Sequence, residues 1–177
     1  MRLFIALLLN SSMLDTLCAT VQSLKEVSCS GNFTRRENLH LTLAFLGETD
    51  RTADVIQAME TVQAPSFSIT LQGAGKFQQE DDVLYWAGIQ ESAALSSLHR
   101  QLLCALRANG FNFEDRPFKP HLTLGRKVIV NESFDFQNFS DSIPSTQAII
   151  QTIHLMKSEQ KDGRPVYTEI YVKSLQI

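Results

Sequence analysis

The tetrad His-Leu-Thr-Leu occurs twice in this chain, at residues 40–43 and again at residues 121–124. The copies start 81 residues apart in a chain of 177, so each half carries one. Each copy leaves a loop, enters an apolar run and follows a segment with helical spacing. A strand places residues i and i+2 on one face, about 6.6–7 Å apart. His40 and Thr42 therefore share a face, as do His121 and Thr123. Leu41, Leu43, Leu122 and Leu124 point the opposite way, into apolar packing. The repeat predicts two structurally related lobes. An approximate two-fold axis between them brings both His-Thr pairs to one cleft.

The remaining pattern supplies the elements that carry these tetrads. Arg2–Leu9 reads as a buried strand. Ser11 or Ser12 can cap a helix, on which Leu14, Leu17, Cys18, Val21 and Leu24 recur along one face. Gly31-Asn32 breaks the chain, and Leu39–Leu46 is a strand ended by Gly47. Thr49 or Asp50 can cap a second helix, with Val55, Met59 and Val62 on its buried stripe and Pro65 as its stop. Phe67, Ile69 and Leu71 alternate with polar residues as in a half-covered strand, and Gly73 and Gly75 mark a bend or bulge. Val83–Ile89 is another strand, after the acidic turn Glu80-Asp81-Asp82.

Ser92 opens the clearest helix, whose apolar face is Leu95, Leu98, Leu102 and Leu106. Gly110 stands where a left-handed cap is wanted. His121–Leu124 is a strand, and residues 131–145 show no strong pattern. Ile149–Met156 and Val166–Lys173 are strands of a hairpin, with Asp162-Gly163 as the turn signal. Three helices among hairpin-linked strands predict an α+β fold with a largely antiparallel sheet.

Composition narrows the function. Lys+Arg 16 against Asp+Glu 19 gives a net charge of −3. That excludes a protein that coats nucleic acid through bulk positive charge, but not a local basic cleft. No apolar run reaches the roughly 20 residues of a membrane-crossing helix. Cys18, Cys29 and Cys104 form no C-x-x-C pair, so free thiols in a reducing compartment are expected. Leu3–Leu9 looks like a short secretory segment, yet no A-x-A-like cleavage site follows it. The expectation is a cytoplasmic monomer: a single domain over residues 1–177, without membrane attachment.

A cleft lined by two His-Thr pairs suits a small anionic group, and phosphate fits. The hydroxyls of Thr42 and Thr123 can donate to its non-bridging oxygens. Imidazoles, with an ordinary pKa near 6.5, can work on opposite sides of the phosphorus. One, neutral, takes a proton from the nucleophile; the other, protonated, gives one to the leaving oxygen. Spacing alone leaves open which histidine does which. No covalent intermediate and no cofactor is required. A zinc site wants three or four protein ligands, and no Cys or acidic partner stands at ligand spacing, so no metal is expected.

Basic residues flank both tetrads: Arg35 and Arg36 before the first, Arg116 and Lys119 before the second, Arg126 and Lys127 after it. Arg126 can aim a guanidinium at a phosphate oxygen. His99, among Ser96, Arg100 and Gln101 on a helix, and His154, between Ile153 and Leu155 on a strand, read as structural or solvated.

Two H-x-T-x motifs in the halves of a small α+β chain resemble the two-histidine phosphoesterase superfamily. The segments Arg2–Leu7, Glu37–Glu48, Gly73–Phe77 and Arg116–Arg126 and the strand of Tyr167 look like those of the bacterial and archaeal RNA 2′,3′-cyclic phosphodiesterases, formerly called 2′-5′ RNA ligases. The resemblance spans nearly the whole chain. It implies a bilobal fold with a central cleft between two antiparallel sheets. It also implies metal-independent hydrolysis of RNA or oligonucleotide 2′,3′-cyclic phosphate ends to 2′-phosphates, with reverse 2′-5′ ligation left open.

By motif match, His40 is the proton donor to the leaving O3′ and His121 the proton acceptor that activates water. Thr42 and Thr123 hold the phosphate, with Arg126 as an added contact, and Phe45 is either a base- or ribose-stacking residue or a core aromatic. Two positions depart from the family pattern. Gly125 precedes Arg126 where a different small or apolar residue is common, and Glu80-Asp81-Asp82 is acidic where relatives often carry Pro or basic residues. The alternatives are a cyclic phosphodiesterase for small nucleotides or ADP-ribose derivatives, and a nucleotide-binding module without turnover.

Overall fold

The structure is a computed structural model that describes residues 1–176, with Gln79 described in its backbone alone. Its strands are β1 (Arg2–Leu7), β2 (Ser28–Phe33), β3 (Leu41–Glu48), β4 (Phe67–Gln79), β5 (Asp82–Ile89), β6 (His121–Val130), β7 (Gln147–Ile150), β8 (Thr152–Lys161) and β9 (Arg164–Ser174). The helices are α1 (Ser11–Glu26), α2 (Thr52–Glu60), α3 (Ala93–Ala108) and the short α4 (Phe136–Asp141), and a 3₁₀ turn spans Arg36–Asn38. The fold is α+β, and every pairing between named strands is antiparallel.

The sheet runs β7-β4-β5-β6-β3-β1-β8-β9, with β2 added along β6. Two separate sheets were expected from the resemblance; the strands instead form one nine-stranded sheet. Its two sides meet at a single residue pair, Leu41 of β3 against Leu122 of β6. These leucines occupy the same position of the repeated tetrad. An antiparallel pair with equivalent residues opposed has a local two-fold axis running through it. That axis carries His40 and Thr42 onto His121 and Thr123, at the centre of the sheet.

The two faces of the sheet differ in chemistry. Leu41, Leu43, Leu122 and Leu124 are buried in the main core with Leu3, Ile5 and Leu7 of β1 and the apolar stripes of α1, α2 and α3. Leu95, Leu98, Leu102 and Leu106 of α3 are all fully buried there, each stabilising the fold by roughly 1.5–3 kcal/mol relative to exposure. On the other face, Phe4, Ala6 and Met156 form a small second cluster with Tyr167 packed on it. The helices thus press the tetrad leucines from one side, which leaves the histidines and threonines to the other.

Local details adjust the sequence reading. Asn10, rather than Ser11 or Ser12, caps α1, accepting a hydrogen bond from the Met13 amide. The first strand stops at Leu7 because Asn10 turns the chain into that helix. Neither Thr49 nor Asp50 caps α2; its N-terminal cap is Arg51, with no side-chain bond. Gly31-Asn32 does not break the chain but lies within β2, which pairs with β6. The Asp135 carboxylate caps α4, inside the stretch that showed no pattern. Ser92 caps α3 as expected, and Gly110 adopts φ +80° after it. Asp162 and Gly163 both have positive φ, as a tight hairpin turn between β8 and β9 demands.

Candidate active site

A cavity of about 820 Å³ opens on the face that carries the tetrads. His40, Thr42, His121 and Thr123 all line it, together with Arg126 and Phe45. The structure thus brings together every site residue that the sequence singled out.

The two imidazoles are held in the same way. His40 Nδ1 lies 2.7 Å from the carbonyl oxygen of Asn38, and His121 Nδ1 lies 2.8 Å from that of Lys119. In each copy the acceptor stands two residues upstream, so the repeat extends to the main chain. A carbonyl oxygen only accepts, so each Nδ1 carries hydrogen. Nε2 of the neutral ring is then left as the free base. His40 Nε2 lies 3.0 Å from the Thr42 hydroxyl, which donates to it when the ring is neutral.

Aromatic side chains brace both rings. Phe4 lies 4.9 Å from the His40 ring centroid, and Tyr167 meets it edge-on at 5.2 Å. Around His121 stand Phe77, edge-on at 5.1 Å, and Trp86 at 6.0 Å. The Lys119 ammonium caps the second pair, 5.6 Å from the Phe77 ring and 5.1 Å from that of Trp86. Trp86 in turn rests on Gly75, where a Cβ would fall 2.0 Å from the indole. Gly75 is therefore a seat for an aromatic ring, while the bulge lies at Gly73, with φ +64° and a register shift between Leu71 and Ala74.

Electrostatics favour the neutral imidazole. Burial pushes the His40 pKa below its ordinary value; the Asn38 carbonyl opposes the shift, and Arg126 and His121 add to it. Burial likewise lowers His121, with the Lys119 carbonyl opposing and the charges of Arg126 and Lys119 adding. Arg126 thus disfavours the protonated form of both rings and lines the cavity with them.

The charged residues that line the cavity are all arginines: Arg2, Arg35, Arg126 and Arg164. Other flanking cations are used elsewhere. Arg36 pairs with Asp15 at 2.6 Å, and Arg116 pairs with Glu114. The acidic turn is structural, since Asp82 accepts a hydrogen bond from the Lys127 amide across β5 and β6. Phe45 is 51% exposed, with the Arg2 guanidinium 5.0 Å above its ring, so it is not a core aromatic.

His154 is satisfied on both nitrogens, by Glu169 at 2.7 Å and Thr152 at 2.8 Å. His99 stacks on Phe118 at 3.7 Å. Neither lines the cavity. Among the described residues no group of three or more His, Cys, Asp or Glu is placed to hold a metal ion. None of their helices is long and apolar enough to cross a membrane.

Sequence reasoning missed Arg2, Phe4, Asn38, Arg164 and Tyr167, which also line the cavity. For Arg2 and Phe4 a signal existed: they alternate with the buried Leu3 and Ile5 along β1. Asn38 bonds twice, through its carbonyl to His40 and through its side-chain amide to the Pro165 carbonyl at 3.0 Å.

Comparison with known proteins agrees with this geometry. A family model described as the 2′-5′ RNA ligase superfamily matches residues 13–162. The RNA 2′,3′-cyclic phosphodiesterase of Thermotoga maritima is 27% identical, over 97% of this chain and 94% of its own length. That of Archaeoglobus fulgidus is 29% identical, over 97% and 99%. The crystal structure of Escherichia coli LigT complexed with 3′-AMP superposes with a TM-score of 0.79 at 26% identity, covering 98% of this chain and 97% of that one. Repeat, sheet, cavity and relatives agree: the chain belongs to the 2′-5′ RNA ligase superfamily.

Proposed function

We propose that this protein is an RNA 2′,3′-cyclic phosphodiesterase, which opens a terminal cyclic phosphate to a 2′-phosphate by paired acid and base catalysis. The observation that carries the reading is the convergence of two His-Thr pairs on one arginine-lined cavity, each ring with its Nδ1 tied to a carbonyl. Water attacks phosphorus as its proton passes to His121 Nε2. The P–O3′ bond breaks as His40 Nε2 gives its proton to O3′. Proton exchange with solvent then resets both rings. Protonation of His40 also takes away the acceptor used by Thr42, which frees that hydroxyl to donate to a phosphate oxygen. Thr123 and Arg126 complete the grip on the charge.

The site is complete within one chain, and we read that chain as a single domain of two related lobes that acts as a monomer. The direct test is hydrolysis of a short RNA ending in a 2′,3′-cyclic phosphate, with the product's phosphate position analysed. A 2′-phosphate is expected, at a rate unchanged by EDTA. A 3′-phosphate, or a large loss in EDTA, would overturn the mechanism.

The pH profile of kcat/KM is expected to be bell-shaped, because one ring must be neutral and the other charged. Both pKa values are lowered, first by burial, so the bell should centre on the acidic side of the ordinary imidazole value of about 6.5. Arg126→Gln removes a positive charge that disfavours both protonated rings. Both limbs should therefore move to higher pH, along with a fall in rate. A profile of unchanged position in that variant would separate Arg126 from the histidines.

A further inference from the structure

Arg164 is left without a task by the chemistry at phosphorus. It sits at the start of β9, beside the tight turn at Asp162-Gly163, and lines the same cavity as the histidines. Along β9 it lies three residues, or about 10 Å of strand, from Tyr167, which packs against His40. Its place is held: Pro165, the next residue, accepts hydrogen bonds on its carbonyl from the Asn38 amide at 3.0 Å and from Arg35 at 3.1 Å. Arg35 is itself paired with Glu37 at 3.0 Å. Among the described residues no carboxylate pairs with Arg164, and none lines the cavity. The turn thus sets a guanidinium with no carboxylate partner among the described residues into the lining of the cleft, about 10 Å of strand from the residue that packs on His40.

One cyclic phosphate carries one negative charge, and Arg126 already serves it. The cavity, at about 820 Å³, lies toward the upper end of the 300–1,000 Å³ range of small-molecule sites. It has room for more than the terminal nucleotide. A chain running 5′-ward from that nucleotide brings a second anion, the next phosphodiester, a fixed distance from the first. Guanidinium suits such a group because its fork of donors matches two phosphate oxygens.

We propose that Arg164 forms a subsite for the phosphodiester immediately 5′ of the cyclic end, so that the cavity takes oligonucleotide ends in preference to cyclic mononucleotides. This rests on the phosphodiesterase reading above and adds to it a substrate length and a residue. Asn38 and Arg35 act as the clamp that keeps the hairpin over the cleft.

The test compares kcat/KM for a dinucleotide ending in a 2′,3′-cyclic phosphate with that for the matching cyclic mononucleotide. A third substrate replaces the internucleotide phosphate of the dinucleotide by an uncharged methylphosphonate. The wild-type protein is expected to favour the charged dinucleotide by about tenfold, the scale of one charge-assisted contact. Arg164→Gln should erase most of that ratio, and so should the methylphosphonate. The two changes together should cost little more than either alone, because each removes the same contact.

An unchanged ratio in Arg164→Gln, or additive losses from the variant and the methylphosphonate, would overturn the subsite. So would a wild-type protein with no preference. Failure to hydrolyse any of the three substrates would instead overturn the phosphodiesterase reading, which keeps the two failures apart.

Discussion

His40→Ala and His121→Ala should each lower kcat by about 10²–10⁴, the span of a single general acid or base contribution, with KM changed far less. Both rings act on protons in flight rather than on bound substrate, so their loss belongs to the transition state. The surviving pH dependence identifies each partner. A missing base removes the acidic limb of the bell, and a missing acid removes the alkaline limb. His121→Ala should thus lose the fall in rate at low pH, and His40→Ala the fall at high pH. The reverse pattern would exchange the two roles, and near wild-type turnover in either variant would end the two-histidine mechanism. Thermal melts of both variants separate lost chemistry from lost fold. The rings sit at the cleft wall rather than in the main core, so small shifts are expected.

The largest effect on stability is expected at a residue with no chemistry of its own. A methyl group at Gly75 would meet the Trp86 indole at 2.0 Å, far inside contact distance. The indole is 9% exposed and has Phe77 on its flank, so it has little room to retreat. Gly75→Ala should cost about 1–3 kcal/mol through overpacking, a fall in Tm of roughly 2–12 °C for a domain of this size. Gly75→Val should cost more. Since Trp86 and Phe77 brace His121, a displaced indole should also slow turnover even at temperatures where the variant is folded. Equal melting curves for wild type and Gly75→Ala would show that the ring shifts freely.

What could be read in advance follows the range of the forces involved. Helix α3 was legible because its signals are local: Ser92 as cap, leucines at 95, 98, 102 and 106, and Gly110 past the end. The hairpin of β8 and β9 was legible from Asp162-Gly163 and the apolar runs on either side of it, although Ile149 and Ile150, read as part of its first strand, belong to β7 and pair with β4. Strand β2 was not, since Ser-Cys-Ser-Gly-Asn-Phe has no alternation, and it pairs with β6, a partner almost a hundred residues away. The six-residue α4 is too short for a periodic stripe.

The site divides in the same way. His40, Thr42, His121 and Thr123 could be found because the repeat printed them twice. The carbonyls of Asn38 and Lys119 could not, because main-chain atoms leave no trace in residue type. Phe4, Tyr167, Phe77 and Trp86 reach the histidines from other strands, and only the assembled sheet brings them near. Gly75 showed the limit of a local rule. It was read as backbone freedom, and its real office is to leave space for a neighbour's side chain.

The pairing of Leu41 with Leu122 has a consequence for direction. A site divided by a two-fold axis presents the same pair of groups to an arriving oxygen and to a departing one. Nothing in the tetrads themselves distinguishes water from a ribose hydroxyl. The distinction must come from positions where the halves disagree: Ala44 and Gly125 four residues after each histidine, then Phe45 and Arg126 one residue further on. One half thus contributes an exposed aromatic ring to the cavity lining, and the other a guanidinium. On the phosphodiesterase reading proposed above, those two side chains are what would orient a substrate across an otherwise symmetric framework.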